Sequence, residues 1–240
     1  MPLTSASRVV ILGGTSGIGL AVARAAASAG ATVIVASRNP DSVASALAHL
    51  PASASGRPVD ASSSEELERF FNQTGEFDHL AYTAAGNLVS APVSEYTPQK
   101  ALDFLSLRLI SAFDAVRLAV PHLSRTGSIT LTSGTAAFKG GEGWLLGATA
   151  SGAIFSATRS LAAELAPIRV NAVAPGMTRS PLWFQVPEAE RQAMYDAAGS
   201  SLPLGRVGDV EDVAKAYVQL MDQDYATGVV SVVDGGALIA

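Results

Sequence analysis

The chain has 240 residues, of which 48% are hydrophobic and only 15% are charged. This composition excludes a mainly disordered protein and provides the core of one α/β domain. The net charge of −5 leaves no broad basic surface, so nucleic acid is not an expected partner. With no Cys and three His, a disulfide framework, a thiolate zinc site and a metal cofactor are all disfavoured. No apolar run approaches the ~20 residues of a membrane span and residues 1–8 lack a signal pattern, so we expect a cytoplasmic protein with no membrane partner.

Apolar, strand-like runs alternate with segments of helical periodicity from one end of the chain to the other. Polar residues that can cap helices, such as Asp41, Ser63 and Asp209, precede several of these segments. The alternation predicts the fold class α/β, as a single-domain, Rossmann-type, doubly wound parallel sheet of about seven strands flanked by helices over residues 1–240. The predicted strands are 8–12, 31–37, 56–59, 79–83, 127–132, 168–174 and 229–233, and the predicted helices are 18–29, 41–50, 65–73, 98–123, 148–165 and 210–222.

Two segments of this pattern indicate ligand binding. The first predicted strand runs directly into the Gly-rich turn 13–19 and then into a helix. Glycines there let the backbone approach a pyrophosphate, and the N–H groups that open the helix donate to its negative charge. The insertion 179–201, which contains Trp183, Phe184 and Tyr195, interrupts the last crossover and is predicted to be a substrate lid.

The end of the second predicted strand indicates which dinucleotide binds. Ser37 and Arg38 stand where an NAD-binding protein usually has an acidic residue for the ribose 2′-hydroxyl. A planar guanidinium suits a 2′-phosphate instead, so the predicted cofactor is NADP(H). The alternative is that Arg38 is a solvated surface residue.

These motifs together resemble the short-chain dehydrogenase/reductase family over essentially the whole chain. The turn 13–19 matches TGxxxGIG with Leu12 in place of Thr, and "PVDAS" at 58–62 matches the segment whose Asp meets adenine. Residues 83–86 stand where the family has Asn-Asn-Ala-Gly, "RVNAVAPG" at 169–176 is a close match, and residues 234–236 close the last strand. The resemblance implies the following cofactor-binding residues: Gly13, Thr15, Ser16, Gly17, Ile18, Gly19, Ser37, Arg38, Asp60, Ala61, Ala85, Gly86, Pro175, Gly176, Thr178 and Ser180.

The family's oligomers imply a further expectation, a homodimer or homotetramer assembled through the predicted helices 98–123 and 148–165. The second helix spaces Ala153, Ala157, Leu161 and Leu165 along one side. The same spacing is also that of an intrachain core, and the sequence leaves both interpretations open.

The family's catalytic positions are altered in this chain. In the family, an Asn, a Ser and a Tyr-x-x-x-Lys pair carry proton transfer. Here the Asn position falls on Arg108, the Ser position on Gly134, and the Tyr and Lys positions on Gly147 and Ser151. Tyr96 and Lys100 have the right spacing, but a Pro lies between them, before the long helix, which predicts a surface turn. Without the Tyr-Lys pair, ordinary carbonyl reduction is predicted to be poor, whereas an iminium carbon can take hydride without a proton donor.

Four residues remain as candidates for catalysis. Arg108 can hold a carboxylate or amide oxygen or an enolate-like charge, or it can form an ion pair within its helix. Glu142 is a candidate acid–base group or counter-charge, or a loop carboxylate in water. Trp144 offers a π face to an aromatic or cationic ligand, or it packs in the core or a dimer. Ser133 restores a hydroxyl near the Ser position, or it only caps a turn, and Lys139 is interpreted as a solvated loop residue.

A narrower resemblance is to the fungal reductase/Diels–Alderases of prenylated indole alkaloid biosynthesis, which reduce a cyclic iminium with NADPH and then direct a stereoselective cyclisation. Arg108 and Trp144 match by position, whereas the acidic position falls on Gly141, next to Glu142. The hypothesis is an NADPH-dependent reductase or reductive cyclase acting on an aromatic, cationic, iminium-type small molecule. The alternatives are a non-redox cyclase of Pictet–Spengler type that uses NADP(H) as part of its pocket, and a non-catalytic NADP-binding protein.

Overall fold

The computed structural model describes residues 3–88 and 90–240; of the segment inspected for a signal pattern, Met1 and Pro2 lie outside the described residues. Seven strands form one parallel sheet in the order β3-β2-β1-β4-β5-β6-β9. This confirms the predicted α/β fold and its doubly wound topology. The strands are β1 (Arg8–Leu12), β2 (Thr32–Ser37), β3 (Ser55–Pro58), β4 (Phe77–Tyr82), β5 (Leu123–Thr132), β6 (Arg169–Pro175), β7 (Thr178–Arg179), β8 (Gly208–Asp209) and β9 (Val230–Val233), of which β7 and β8 form a separate short ladder.

Helices cover both faces of the sheet. They are α1 (Gly17–Ser28), α2 (Pro40–Leu47), α3 (Ser64–Thr74), α4 (Pro98–Leu105), α5 (Ser111–Ala119), α6 (Leu145–Glu164), α7 (Glu188–Ser200) and α8 (Val210–Asp222). Alternate side chains of β1 enter two cores: Val9 and Ile11 pack with α1 and α8, whereas Val10 and Leu12 pack with α3, α5 and α6. Strand β1 is therefore apolar on both faces, as a strand inside a parallel sheet requires. No helix in the described part of the chain is both long and apolar enough to cross a membrane.

The long predicted helix 98–123 is interrupted. Helix α4 ends at Leu105, a π-helical turn occupies Ser106–Ile110, and α5 follows. The turn is stabilised by the hydroxyl of Tyr82, which donates a 2.6 Å hydrogen bond to the Leu107 carbonyl. A π turn widens the helix by one residue and leaves a carbonyl that needs another donor, which the end of β4 provides here.

Other boundaries differ by a few residues. Strand β5 begins at Leu123 and α6 at Leu145, both earlier than predicted, and α7 lies inside the predicted lid, where no helix was expected. Asn39 caps α2 in place of Asp41, because its side chain accepts from the N–H groups of Asp41 and Ser42. Ser63 and Asp209 are the N-cap residues of α3 and α8, as predicted.

His79 is a polar side chain buried on β4, a strand in the middle of the sheet. His79 of β4 contacts the Ser128 hydroxyl through Nδ1 at 2.9 Å, and its side chain is fully buried. Burial, followed by the nearby charge of Arg169, lowers the pKa of His79 to about 3. The His79 Nε2 atom and the Thr130 hydroxyl have no hydrogen-bond partner among the described residues. His79 is therefore held neutral in the folded protein.

Candidate active site

A cleft of about 1210 Å³ opens at the carboxyl ends of the parallel strands. Such a volume exceeds the roughly 300–1,000 Å³ of an ordinary small-molecule pocket, so it accommodates a dinucleotide and a second molecule. The predicted site residues that line it are Gly13, Thr15, Ser16, Gly17, Ile18, Gly19, Ser37, Arg38, Asp60, Ala61, Ala85, Gly86, Arg108, Ser133, Trp144, Pro175, Gly176, Thr178 and Ser180. Only Glu142 of the predicted set is absent from this lining.

The Gly-rich turn forms the floor of one end of the cleft. Gly13 adopts φ +83°, and a Cβ there would lie 2.6 Å from the Ala84 nitrogen. A Cβ on Gly19 would lie 2.2 Å from the Gly13 carbonyl oxygen, so the turn packs too closely for side chains. Ser16, the N-cap of α1, makes no side-chain cap, which leaves the first N–H groups of the helix available to the cleft. This arrangement fits a pyrophosphate.

Arg38 and Asp60 lie beyond this turn, at the ends of β2 and β3. Arg38 is exposed and has no salt-bridge partner among the residues that the structure describes, so its guanidinium is available to an anion. The Ser62 hydroxyl and N–H donate to Asp60 at 2.7 and 2.9 Å. These hydrogen bonds, with a smaller contribution from the charge of Arg38, lower the pKa of Asp60. The geometry fits the 2′-phosphate and adenosine end of NADP(H).

The opposite end of the cleft contains Gly134, Gly147 and Ser151, the positions at which the sequence comparison predicts the family's Ser, Tyr and Lys. A Cβ on Gly134 would lie 3.1 Å from the Ser151 hydroxyl oxygen. A Cβ on Gly147 would lie 3.0 Å from Cε3 and 3.5 Å from Cζ3 of Trp144. The indole of Trp144 therefore occupies the space next to Gly147 into which a longer side chain would extend.

Ser133 has a structural contact as well as a place in the cleft. Its hydroxyl donates to the Ser151 carbonyl at 2.8 Å, and its N–H donates to the Val173 carbonyl at 2.8 Å. The side chain thus joins the end of β5 to the second turn of α6, which agrees with the simpler interpretation of Ser133 as a turn-stabilising residue.

Arg108 is carried on the π turn and is half-buried. It donates a hydrogen bond to the Gly86 carbonyl and stacks over Phe104, with Cζ 4.6 Å from the ring centroid. Burial lowers the pKa of Arg108. The ion pair considered for it within the helix is not found among the described residues, and the other guanidinium N–H groups have no partner there. Arg108 is therefore positioned at the cleft wall with donors available for a ligand.

Glu142 and Lys139 are both exposed on the loop after β5, but only Lys139 lines the cleft. Glu142 is exposed in the turn that Gly141 and Trp144 close through a 3.2 Å hydrogen bond, and the structure does not bring it into the cleft with Arg108. The reason is local, since Gly143 turns the backbone through φ +77° between Glu142 and Trp144. Lys139, interpreted as a solvated loop residue, is exposed but lines the cleft.

The insertion 179–201 lies along the cleft. Pro181 packs on the Gly-rich turn, where a Cβ on Gly17 would meet its Cδ at 3.3 Å. Gln185 Nε2 donates to the Leu88 carbonyl at 3.1 Å, which connects the insertion to the segment after β4. Met194 and Ala198, one turn apart on α7, also line the cleft. They were missed from the sequence, although their i,i+4 spacing is the signal that would have indicated a helical cleft wall.

The comparisons with known proteins agree with this geometry. A family model described as "Enoyl-(Acyl carrier protein) reductase" matches residues 13–237. The short-chain dehydrogenase/reductase ATR9 of Stachybotrys chlorohalonatus is 40% identical, with 100% of each chain covered. This chain belongs to the short-chain dehydrogenase/reductase family.

Two solved structures of the family are similar throughout. The MalC Reductase/Diels-Alderase from Malbranchea aurantiaca superposes with a TM-score of 0.91 at 27% identity, covering 99% of this chain and 98% of that one. A small-chain dehydrogenase in complex with NADPH superposes with a TM-score of 0.87 at 35% identity, covering 98% and 99%. The family and the fold predicted from the sequence are thus confirmed, and the chain is similar to fungal members of the family.

Proposed function

We propose that this short-chain dehydrogenase/reductase is an NADPH-dependent reductase of secondary metabolism. The N–H groups at the start of α1 would hold the pyrophosphate, Arg38 the 2′-phosphate and Asp60 the adenosine. The structural neighbour in complex with NADPH supports this choice of cofactor. So do the charge and availability of Arg38, because a free guanidinium at this position favours a phosphate over a ribose hydroxyl.

The observation that carries the proposal is the position of Trp144 beside Gly147. With an indole in this space and Ser151 at the Lys position, the chain has no Tyr-Lys pair to protonate an alkoxide. When bound, NADPH supplies a hydride. An acceptor that is already electron-poor, such as a cyclic iminium, accepts a hydride without a proton from the protein, so we propose this acceptor class in place of a simple ketone.

The remaining residues would position the acceptor. The guanidinium of Arg108 is fixed by the Gly86 carbonyl and the Phe104 ring, and its free donors can bind a substrate oxygen. The Trp144 indole provides a π face for an aromatic ring. The insertion 179–201 would act as the lid that excludes water from the reaction. Glu142, which lies outside the lining, is not assigned a part in the reaction.

Reduction would be followed by stereoselective cyclisation if the cleft also holds the reduced product in a folded shape. The similarity to the MalC Reductase/Diels-Alderase supports this second step. We place cyclisation after reduction because the reduced product would remain in contact with Trp144 and Arg108, which would hold it for the second step.

The test is to titrate the protein with NADPH and NADH, and then to mix the tighter complex with a cyclic iminium of an indole-containing dipeptide or with a simple ketone. We expect the reduced-nicotinamide absorbance to fall with the iminium only, and the product to be heavier by one hydride. Trp144→Ala should slow this reaction, whereas Arg159→Gln, at an exposed position on α6, should not. An unchanged absorbance with an isomeric product would replace the proposal with a non-redox cyclase, and no product would favour a binding protein.

We also infer a homo-oligomer. Leu102 and Ile110, on α4 and the π turn, are 64% and 61% exposed, and contact with a second copy of the chain would remove these large apolar side chains from water. Leu161 and Leu165 are partly buried and pack against the chain's own core. Light scattering after gel filtration should therefore give a mass that falls with Leu102→Glu and not with Leu161→Val.

A further inference from the structure

The charges that line the cleft are unevenly distributed. Three cations line it, Arg38, Arg108 and Lys139, together with one carboxylate among the described residues, Asp60. Arg38 and Asp60 lie together beyond the Gly-rich turn, at the ends of β2 and β3. The end that contains Trp144 therefore has two cations and, among the described residues, no carboxylate.

Arg108 is the more informative of these two cations. Its guanidinium is half-buried and stacked 4.6 Å above Phe104, and it has no salt bridge within the described chain. A charge removed from water without a counter-charge is costly, and an anionic ligand recovers that cost. Because the Gly86 carbonyl already binds one Nη atom, the side chain is held in place before a ligand arrives.

Lys139 adds a second, exposed charge on the loop after β5. It is exposed, and no described residue forms an ion pair with it. The phosphates of a dinucleotide would lie at the other end of the cleft, against the start of α1. The positive charge at the Trp144 end is therefore available to the second molecule.

We propose that the substrate carries a carboxylate, which the guanidinium of Arg108 binds as a planar pair while Lys139 lies nearby. This inference rests on the proposed function and narrows it: the iminium acceptor is a zwitterion, whose own carboxylate supplies the negative charge that the cleft lacks. A substrate with only a positive charge would meet Arg108 and Lys139 without compensation.

Binding without turnover tests the inference, with indole-3-acetate as the probe and indole-3-acetamide as its uncharged match. Titrations of the complex with NADP⁺ by calorimetry should show at least about tenfold tighter binding of the carboxylate, weakening as salt is added. Arg108→Gln should remove this preference, and Lys139→Gln should reduce it. Arg159→Gln is the matched control, since Arg159 stacks 4.4 Å over Phe155 in the same way but does not line the cleft.

Equal affinity for the two probes, or an equal loss of both in Arg108→Gln, would overturn the inference. NADPH titration shows that each variant is folded, and Lys139→Gln, on an exposed loop, provides a second variant should Arg108→Gln fail to fold. A carboxylate preference that depends on these two residues, in a protein that never oxidises NADPH, would refute the proposed function and leave this inference standing. NADPH oxidation at equal rates with an iminium acid and with its amide would support the proposed function and refute this inference.

Discussion

The hydroxyl of Tyr82 donates to the main-chain carbonyl of Leu107 at 2.6 Å, and this contact supports the π turn that carries Arg108. Tyr82 is buried, and burial raises the pKa of its phenol, so the hydroxyl stays protonated as a donor over the physiological range. A residue at the end of β4 thus determines where a guanidinium on the neighbouring helix is presented to the cleft.

Replacing Tyr82 by Phe removes this donor and leaves the Leu107 carbonyl without it. We expect a loss of about 1–3 kcal/mol in the free energy of unfolding, measured by urea titration, because a buried carbonyl is then unsatisfied. We also expect Arg108→Gln to have a smaller effect on substrate KM in the Tyr82→Phe background than in the wild type. Tyr225→Phe is the control, since Tyr225 is 98% exposed. Unchanged stability in Tyr82→Phe would show that the π turn does not need this hydrogen bond.

Two glycines of α6 provide a matched pair for the Trp144 contact. A Cβ on Gly152 meets no atom within 4 Å, whereas one on Gly147 lies 3.0 Å from the Trp144 ring. Gly152→Ala should stabilise the protein by about 0.5–1 kcal/mol through helix propensity. Gly147→Ala should be less stable than Gly152→Ala by about 1 kcal/mol, owing to overpacking. Thermal unfolding checks both, and a Trp144→Ala background should abolish the difference; if the difference persists there, the indole is not its cause.

His79 makes stability depend on pH. Its pKa is about 3 in the folded protein against an ordinary value of 6.5, so between these values the unfolded chain binds more protons. Stability therefore rises with pH: the contribution is complete above pH 6.5 and is lost as the pH falls toward 3. Urea titrations between about pH 5 and 6 should show a slope approaching 1.4 kcal/mol per pH unit from this residue.

His79→Gln removes the titrating group and should flatten that slope. His49→Gln should retain it, because His49 is exposed. Equal slopes in the wild type and His79→Gln would mean that other groups cause the acid sensitivity.

Arg38 should set the preference for NADPH over NADH. Arg38→Gln removes a charge-assisted contact to the 2′-phosphate, so we expect NADPH binding to weaken roughly tenfold or more while NADH binding hardly changes. Fluorescence titration with both nucleotides measures this. Arg57→Gln serves as control, because Arg57 is exposed on the next strand and contacts Gln73. Parallel losses for both nucleotides would indicate a general effect on the cleft and not recognition of the phosphate.

Local backbone chemistry specifies much of the predicted site that the structure brings into the cleft. The sequence places a buried strand directly before the glycines at 13–19 and a helix start directly after them. These three local features agree with one another and specify the same turn. The phosphate turn is predicted from that order, Arg38 from its place at the end of the second strand, and Asp60 from the resemblance of "PVDAS" to the family. Local sequence also explains why Tyr96 and Lys100 lie at an exposed helix start. Thr97 caps α4 by accepting the Lys100 N–H, and Pro98 begins the helix.

The features that the sequence did not reveal depend on side-chain packing or on small changes of register. A π turn shifts the apolar spacing of 98–123 by a single residue, which is too little to distinguish it from a continuous α-helix, so the sequence does not predict the break at Ser106–Ile110. The Trp144 indole lies beside Gly147 because of its side-chain rotamer and the space left by the glycine, and a sequence pattern specifies neither. Glu142 lies one residue from the matching acidic position, and the turn at Gly143 leaves it outside the cleft lining.

The insertion that carries Pro181 and Gln185 touches both halves of the cleft, the Gly-rich turn on one side and Leu88 on the other. This insertion would therefore cover both ligands, and a dinucleotide bound along the floor of the cleft would leave only after the smaller molecule has gone. The steady-state scheme that follows is ordered, with the nucleotide first to bind and last to depart. Oxidised nucleotide would then compete with reduced nucleotide for the free protein.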